Sequence, residues 1–178
     1  MSDHLPILIV ICPLVAALLV PLVARLSVRL SRAMTVVASA AALVCALASL
    51  GAVLDRGVWH YHLGGWAPPW GVEYVVDPLG GGMAVLVALV ATLVAIYAGP
   101  YLQYFSLLRG AVFDSLFLLL TSGLLGITLT GDLFNLYVFL EISSLAAYAL
   151  LASGGDRAAV ATFRYVLIGT IAASFYLL

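Results

Sequence analysis

Six long apolar runs follow one another along the chain, separated by shorter segments in which polar and charged residues collect. Each run is close to the ~20 residues that an α-helix needs to cross a bilayer. The pattern predicts transmembrane helices at about residues 5–25, 33–54, 76–99, 111–129, 133–152 and 158–178. We therefore expect an all-α integral membrane protein, with residues 1–178 forming a single membrane domain.

The loop at residues 55–75 has a different pattern. Hydrophobic and polar residues alternate from Val58 to Leu63, and turn-forming residues follow at Gly64-Gly65 and Pro68-Pro69, which predicts a short β-hairpin. The loop also contains all three tryptophans of the chain. Because tryptophan prefers the boundary between water and lipid, we expect this loop to lie flat on the bilayer.

Composition supports a membrane protein and excludes several other classes. Hydrophobic residues make up 65% of the chain, charged residues only 8%, and the mean hydropathy is +1.22, whereas about a quarter of the residues in a soluble domain are charged. The net charge of -1 gives no basic face for nucleic acid. The sequence has no glycine-rich nucleotide loop and no hydrolase serine motif, so we predict neither a nucleotide site nor hydrolase chemistry, and no bound cofactor.

The basic residues predict the orientation of the helices. Loops rich in arginine face the cytoplasm. The three loops that carry most of the arginines are therefore expected on the cytoplasmic side of a bacterial-type plasma membrane. Both termini and the 55–75 loop are then expected outside, and only Arg56 disagrees. The other arginines are Arg25, Arg29 and Arg32 in the first loop, Arg109 in the third, and Arg157 in the fifth with Arg164 just beyond it.

Glu141 is the strongest candidate for a functional residue. It lies about eight residues into the predicted fifth helix, ~12 Å from the helix end at 1.5 Å per residue. A charged group at the bilayer centre costs about 2.5–3.5 kcal/mol, and such residues usually belong to ion or proton paths. Tyr137, Ser144 and Tyr148 share its helical face, where their hydroxyl groups can anchor water for proton transfer. Alternatively, a protonated Glu141 only bonds a neighbouring helix.

Two further charged residues could belong to the same path. Arg164 is predicted within the sixth helix, where it could tune Glu141 or extend its side chain to the membrane surface. Asp77 directly precedes Pro78 at the third helix, where it could either cap the helix or take part in ion uptake.

The remaining polar residues have structural interpretations. We interpret Asp114, Asp132 and Asp156 as helix N-caps. His60 and His62 could share one face of a strand, but two histidines without a third ligand make a weak metal site, and no metal is predicted.

Two parts of the sequence resemble a known family. The block from Gly131-Asp132-Leu133 to Ala149, continuing into Phe163–Leu177, is similar to the D-type subunit of the Mrp-type multisubunit cation/proton antiporters. Residues Gly64–Leu79 resemble the loop that leads into the third helix of that protein. The same family includes the antiporter-like, proton-pumping subunits of complex I and of membrane-bound hydrogenases.

The resemblance implies a fold, a function and partners. Family members have about fourteen helices and work among other membrane subunits of a multisubunit antiporter or respiratory complex. Glu141 matches the proton-path glutamate of the fifth helix, and Arg164 falls where relatives often have lysine. We therefore expect the N-terminal part of a subunit that translocates protons, or exchanges sodium for protons. The alternative is a scaffold or assembly subunit that translocates nothing.

Overall fold

The computed structural model describes residues 4–66, 68, 70–102, 106–154 and 156–178, leaving out the side chains of Asp156, Arg157 and Leu177. Its helices are α1 (Leu5–Ala24), α2 (Val28–Arg56), α3 (Pro78–Leu102), α4 (Leu107–Leu129), α5 (Leu133–Ala152) and α6 (Asp156–Leu177). Two strands, β1 (Trp59–His62) and β2 (Glu73–Val76), lie between α2 and α3. Among these residues, six helices are long and apolar enough to cross a membrane, which confirms the predicted all-α, six-span fold class.

Two helices begin four or five residues earlier than the hydropathy pattern predicts. Helix α2 begins at Val28 instead of residue 33, because the hydroxyl of Ser27 accepts a hydrogen bond from the amide of Leu30 at 3.4 Å and caps the helix. Helix α4 begins at Leu107 instead of residue 111. The assignment of Arg29 and Arg32 to the first loop is therefore wrong, since both lie within α2.

Small side chains line the contacts between helices, and large apolar side chains face outward. In a bilayer the lipid tails are as apolar as leucine, so helices associate through close packing and hydrogen bonds rather than by hiding large residues. Helices α2 and α3 show this pattern clearly, because each buries a stripe of small residues. The buried alanines are Ala38, Ala42 and Ala46 on α2, and Ala84, Ala88, Ala91, Ala95 and Ala98 on α3.

Serine side chains of α4 bond to the backbone of α1. Pro21 has no amide hydrogen, so the carbonyl of Ala17 loses the partner that it would have in a regular helix. The hydroxyl of Ser115 donates to that carbonyl at 2.5 Å, and Ser122 donates to the carbonyl of Val10 at 2.9 Å. These bonds hold α1 against α4. They also give hydrogen bonds to backbone carbonyls, which lipid tails cannot provide.

The strands form the predicted antiparallel hairpin, which sits at one end of the helix bundle. His4, just before α1, hydrogen bonds to the hydroxyl of Tyr61 on β1 at 2.9 Å. The amide of Gly131, between α4 and α5, donates to the carbonyl of Glu73 on β2 at 2.9 Å. Near the end of α6, the hydroxyl of Tyr176 donates to the carbonyl of Leu133. These contacts define the hairpin end of the bundle, to which both ends of the described chain belong.

Candidate functional site

Helix α5 carries the candidate site, and its start is fixed by a cap. The Asp132 carboxylate accepts a hydrogen bond from the amide of Phe134 at 2.9 Å, which confirms that Asp132 is an N-cap. The side-chain amide of Asn135 donates to the Thr130 hydroxyl at 3.0 Å in the preceding turn. These bonds orient the first turn of α5 beneath the hairpin.

The hairpin packs directly on α5 through Tyr74. The ring of Tyr74 lies 6.3 Å from that of Phe139 and is 5% exposed. Burial raises the pKa of the Tyr74 hydroxyl, and a hydrogen bond with the Asn135 side chain partly opposes that rise. The hairpin therefore packs against the first two turns of α5.

Close packing on α4 fixes the rotation of α5 about its axis. Gly126 of α4 lies so near the ring of Phe139 that no side-chain carbon fits between them. At Gly123, one turn earlier, a side-chain carbon would stand 2.8 Å from the β-carbon of Ser143. Phe139 and Ser143 therefore face α4, and the stripe that begins at Tyr137 faces elsewhere.

That stripe faces α6. The ring of Tyr137 stacks on the ring of Tyr176 with centroids 5.9 Å apart, and Tyr148 meets Tyr165 edge to face at 5.4 Å. The hydroxyl of Tyr148 occupies the space that a side chain at Gly169 would fill. Two of the predicted site residues, Tyr137 and Tyr148, are therefore contacts between α5 and α6.

Glu141 lies on the same face, between these two layers of tyrosines. Because the two helices run antiparallel, counting four residues from the Tyr137–Tyr176 pair places Glu141 level with Ala172. Small residues of α6 thus stand opposite the carboxylate. The hydroxyl of Ser144 donates to the backbone carbonyl of Glu141 at 3.1 Å, so it bonds to the helix rather than to the carboxylate.

The Glu141 carboxylate is half-buried and, within the described part of the chain, makes no hydrogen bond or ion pair with another side chain. Arg164 is exposed on α6, and no ion pair joins it to Glu141. Helix α6 thus brings tyrosines, and not Arg164, into contact with the polar stripe.

Asp77 caps α3 at the hairpin end. Its carboxylate accepts a hydrogen bond from the amide of Gly80 at 2.6 Å, which confirms the capping interpretation. A side-chain carbon at Gly80 would stand 2.7 Å from the carbonyl oxygen of Thr128, so this cap lies against α4. A role of Asp77 in ion uptake stays a prediction.

Asp114 is not an N-cap, contrary to the sequence interpretation. It lies seven residues beyond the first residue of α4, is 3% exposed, and pairs with Arg32 of α2 through an Nη1–Oδ1 distance of 3.1 Å. The interpretation failed because both helices begin earlier than predicted. The signal was present, since Asp114 shares a helical face with the apolar residues Leu118 and Leu125, both fully buried. The side chain of Asp156, the other predicted cap, lies outside the described residues.

Known proteins resemble the whole chain. No protein-family model matches it. It is 55% identical to the N subunit of NADH-quinone oxidoreductase from Desulforudis audaxviator, over 100% of this chain and 36% of that protein. It is 38% identical to the D subunit of a probable K(+)/H(+) antiporter from Rhizobium meliloti, over 75% of this chain and 24% of that protein. The chain therefore spans about a third or less of the length of these relatives.

Solved structures agree with these relatives. The chain superimposes on a chain of the membrane-bound sulfane sulfur reductase, an archaeal respiratory membrane complex, with a TM-score of 0.90 and 30% identity, covering 98% of this chain and 36% of that one. Against the Mrp complex from Dietzia the TM-score is 0.81 with 25% identity, covering 97% of this chain and 32% of that one. The resemblance found in the sequence is confirmed: this multi-pass membrane chain is similar to antiporter-like membrane subunits, among them the D subunits of Mrp antiporters and the N subunits of NADH-quinone oxidoreductases.

Proposed function

We propose that the chain is part of a membrane subunit that translocates protons, or exchanges sodium for protons, within a multisubunit antiporter or a related respiratory complex. Relatives named as antiporter subunits and as an oxidoreductase subunit support this proposal. The observation that carries it is Glu141, a half-buried carboxylate in a membrane-spanning helix without a side-chain partner among the described residues.

Such a carboxylate suits proton transfer for a physical reason. A buried carboxylate in an ion pair is held in its charged form, whereas Glu141 has no such pair among the described residues to oppose the uptake of a proton. Tyr137 and Tyr148 lie on the same face toward either end of the helix, and Ser144 lies between them. Their hydroxyl groups, with water, supply the hydrogen-bonded chain along which a proton hops. Asp77 and Arg164 would act outside this stripe, in ion uptake and in attracting charge toward α6.

The test is proton flux in inverted membrane vesicles that carry the full-length protein in its complex, normalised to assembled complex. Glu141→Gln keeps the size and most of the hydrogen bonds but cannot exchange a proton, so flux should be lost while assembly is kept. Glu141→Asp should keep part of the flux, because it retains the carboxyl group. Asp55→Asn, at an exposed acid near the end of α2, is the matched control and should leave flux unchanged.

The scaffold alternative makes a different set of predictions for the same residue. If Glu141 only bonds a neighbouring helix, the glutamine variant keeps full flux, and Glu141→Ala lowers the amount of assembled complex. Full flux from assembled Glu141→Gln would refute the proton-carrier role.

We further infer that the protein lies in a bacterial-type plasma membrane with its hairpin end outside. The support is Arg25, which is exposed in the turn at the opposite end of the bundle. With Cys12 and Cys45 replaced by alanine, Trp70→Cys should react with an impermeant thiol reagent from outside, and Leu26→Cys only after the membrane is opened. Both positions are strongly exposed, at 87% and 84%, so the reverse labelling order would overturn the orientation.

The exposed apolar surface of α6 supports the proposal that other membrane subunits are partners of this chain. The helix packs mainly on α5, and only 6% of its most apolar stretch, within Ala158–Tyr176, is buried against the rest of the chain. Large apolar residues on it, including Phe163, Ile168 and Phe175, are more than half exposed. A surface of this kind suits contact with further transmembrane helices as well as with lipid.

A further inference from the structure

Three side chains that can bind metal meet on one face of the β-hairpin. His60 and His62 are two residues apart on β1, so they point to the same face. Glu73 on β2 pairs directly with His62. The backbone bond from Leu63 to Val72 marks the neighbouring pair as hydrogen-bonded, which makes His62–Glu73 a non-hydrogen-bonded pair, the kind in which side chains come closest.

Both histidines reach the same carboxylate oxygen. The distance from Oε1 of Glu73 is 2.7 Å to Nδ1 of His60 and 3.3 Å to Nε2 of His62. The carboxylate is largely shielded, with 17% of its side chain exposed, while the two rings are 57% and 40% exposed and open to the solution. The hairpin thus supplies the third ligand group that the histidine pair lacked in the sequence.

The spacing is close to that of a zinc site. Two ligand atoms about 2.0–2.1 Å from a tetrahedral Zn²⁺ stand about 3.3 Å apart, the distance between Oε1 of Glu73 and the ring of His62. The His60 contact is shorter because it is a hydrogen bond. Within the described residues, no three metal-ligating groups already surround a common centre. A small outward rotation of the His60 ring, which is exposed, would open the necessary space.

The geometry points to a binding site for a borderline divalent cation of the Zn²⁺ class, formed by His60, His62 and Glu73 with water completing the coordination. Imidazole and carboxylate ligands in a tetrahedral arrangement favour Zn²⁺ over Mg²⁺ or Ca²⁺, which prefer six or more oxygen ligands. Binding displaces the protons held between the rings and the carboxylate. The site joins β1 to β2, and β2 in turn contacts the α4–α5 turn through Gly131.

The site can be tested with Co²⁺, whose visible absorption reports a tetrahedral environment, on the full chain in detergent with any affinity tag removed. We expect one Co²⁺ per chain, displaced by Zn²⁺ and released on acidification because protons compete for the same nitrogens. Glu73→Gln should weaken binding by at least about tenfold, and replacing both His60 and His62 with glutamine should abolish it. His4→Gln is the matched control, because that histidine bonds to Tyr61 instead.

Two controls exclude a change of fold and binding by cysteine as explanations of the result. All variants should have the circular dichroism spectrum of the wild type, and the Cys12→Ser/Cys45→Ser background excludes thiolate ligands. No Co²⁺ band in the folded wild type would overturn the site. Equal binding by wild type and the double histidine variant, or a loss of binding in His4→Gln as large as in Glu73→Gln, would also overturn it.

Discussion

The ion pair between Arg32 and Asp114 should respond unequally to loss of its two partners. Asp114 has 5% of its side chain exposed, against 18% for Arg32. Arg32 lies only four residues from the start of α2, ~6 Å along the axis, so a released guanidinium can extend to the membrane surface. The carboxylate of Asp114 has no such route.

Arg32→Leu should therefore be the more damaging change. Removing one partner of a buried pair costs about 3–5 kcal/mol, because the other charge is left uncompensated. Asp114→Asn leaves a neutral, polar group beside an arginine that can move away, and should cost about 1–3 kcal/mol, the range for an imperfectly satisfied buried group. The double variant Arg32→Leu/Asp114→Leu leaves no buried charge and should be less destabilised than Arg32→Leu alone.

The assay is the free energy of unfolding in mixed micelles, followed by circular dichroism as the fraction of denaturing detergent rises. Arg29→Leu is the matched control, because Arg29 lies on the same helix turn but is exposed. The reasoning is refuted if Arg32→Leu costs no more than Arg29→Leu. Asp114→Leu, measured alone, completes the comparison: the reasoning is equally refuted if the double variant costs the sum of Arg32→Leu and Asp114→Leu, since residues in contact should show a coupling of about 0.5–3 kcal/mol.

Three further outcomes are expected. Gly126→Ala puts a methyl group into a phenylalanine ring of α5 and should lower the melting temperature, whereas Gly82→Ala, with open space around it, should not; equal effects would contradict this packing. Gly169→Ala should also destabilise the protein, and Tyr148→Phe should partly rescue it by removing the nearest overlapping atom, the hydroxyl oxygen; a double variant no better than Gly169→Ala would contradict that contact. Burial raises the pKa of Tyr74. The stability that this residue contributes is therefore complete below the ordinary tyrosine pKa near 10 and declines as the pH rises above that pKa. Unfolding measured from pH 8 to 11 should show a steeper decline in the wild type than in Tyr74→Phe, and parallel curves would contradict it.

The sequence predicted the architecture around Glu141 well because local signals agree there. Asp132 caps α5 and an uninterrupted apolar run follows, so both ends of the helix could be located. The helical spacing also placed Tyr137 and Tyr148 on the face of Glu141. That this face meets α6 through tyrosine rings depends on how the helices pack, which spacing along one helix does not determine.

The parts that the sequence did not predict depend on partners distant in the chain. Arg32 and Asp114 lie 82 residues apart, and each alone resembles a charge at a helix end. Their mutual neutralisation stabilises the two charges within the bundle, and no local pattern in the sequence shows that they meet. In the same way, Glu73 reaches His60 and His62 because of the strand register, which pairs residues 11 to 17 positions apart in the chain.

The bond from Ser115 to the carbonyl of Ala17 has a consequence for biosynthesis. The two residues are 98 positions apart, so at about 5–20 residues per second the ribosome delivers the serine roughly 5–20 s after the carbonyl. An unsatisfied carbonyl in hydrocarbon costs several kcal/mol. During that interval α1 must be held by the insertion machinery or by water near the membrane surface. The bonds that fix α1 against α4 can therefore form only after α4 has been made, although α1 precedes α4 in the chain.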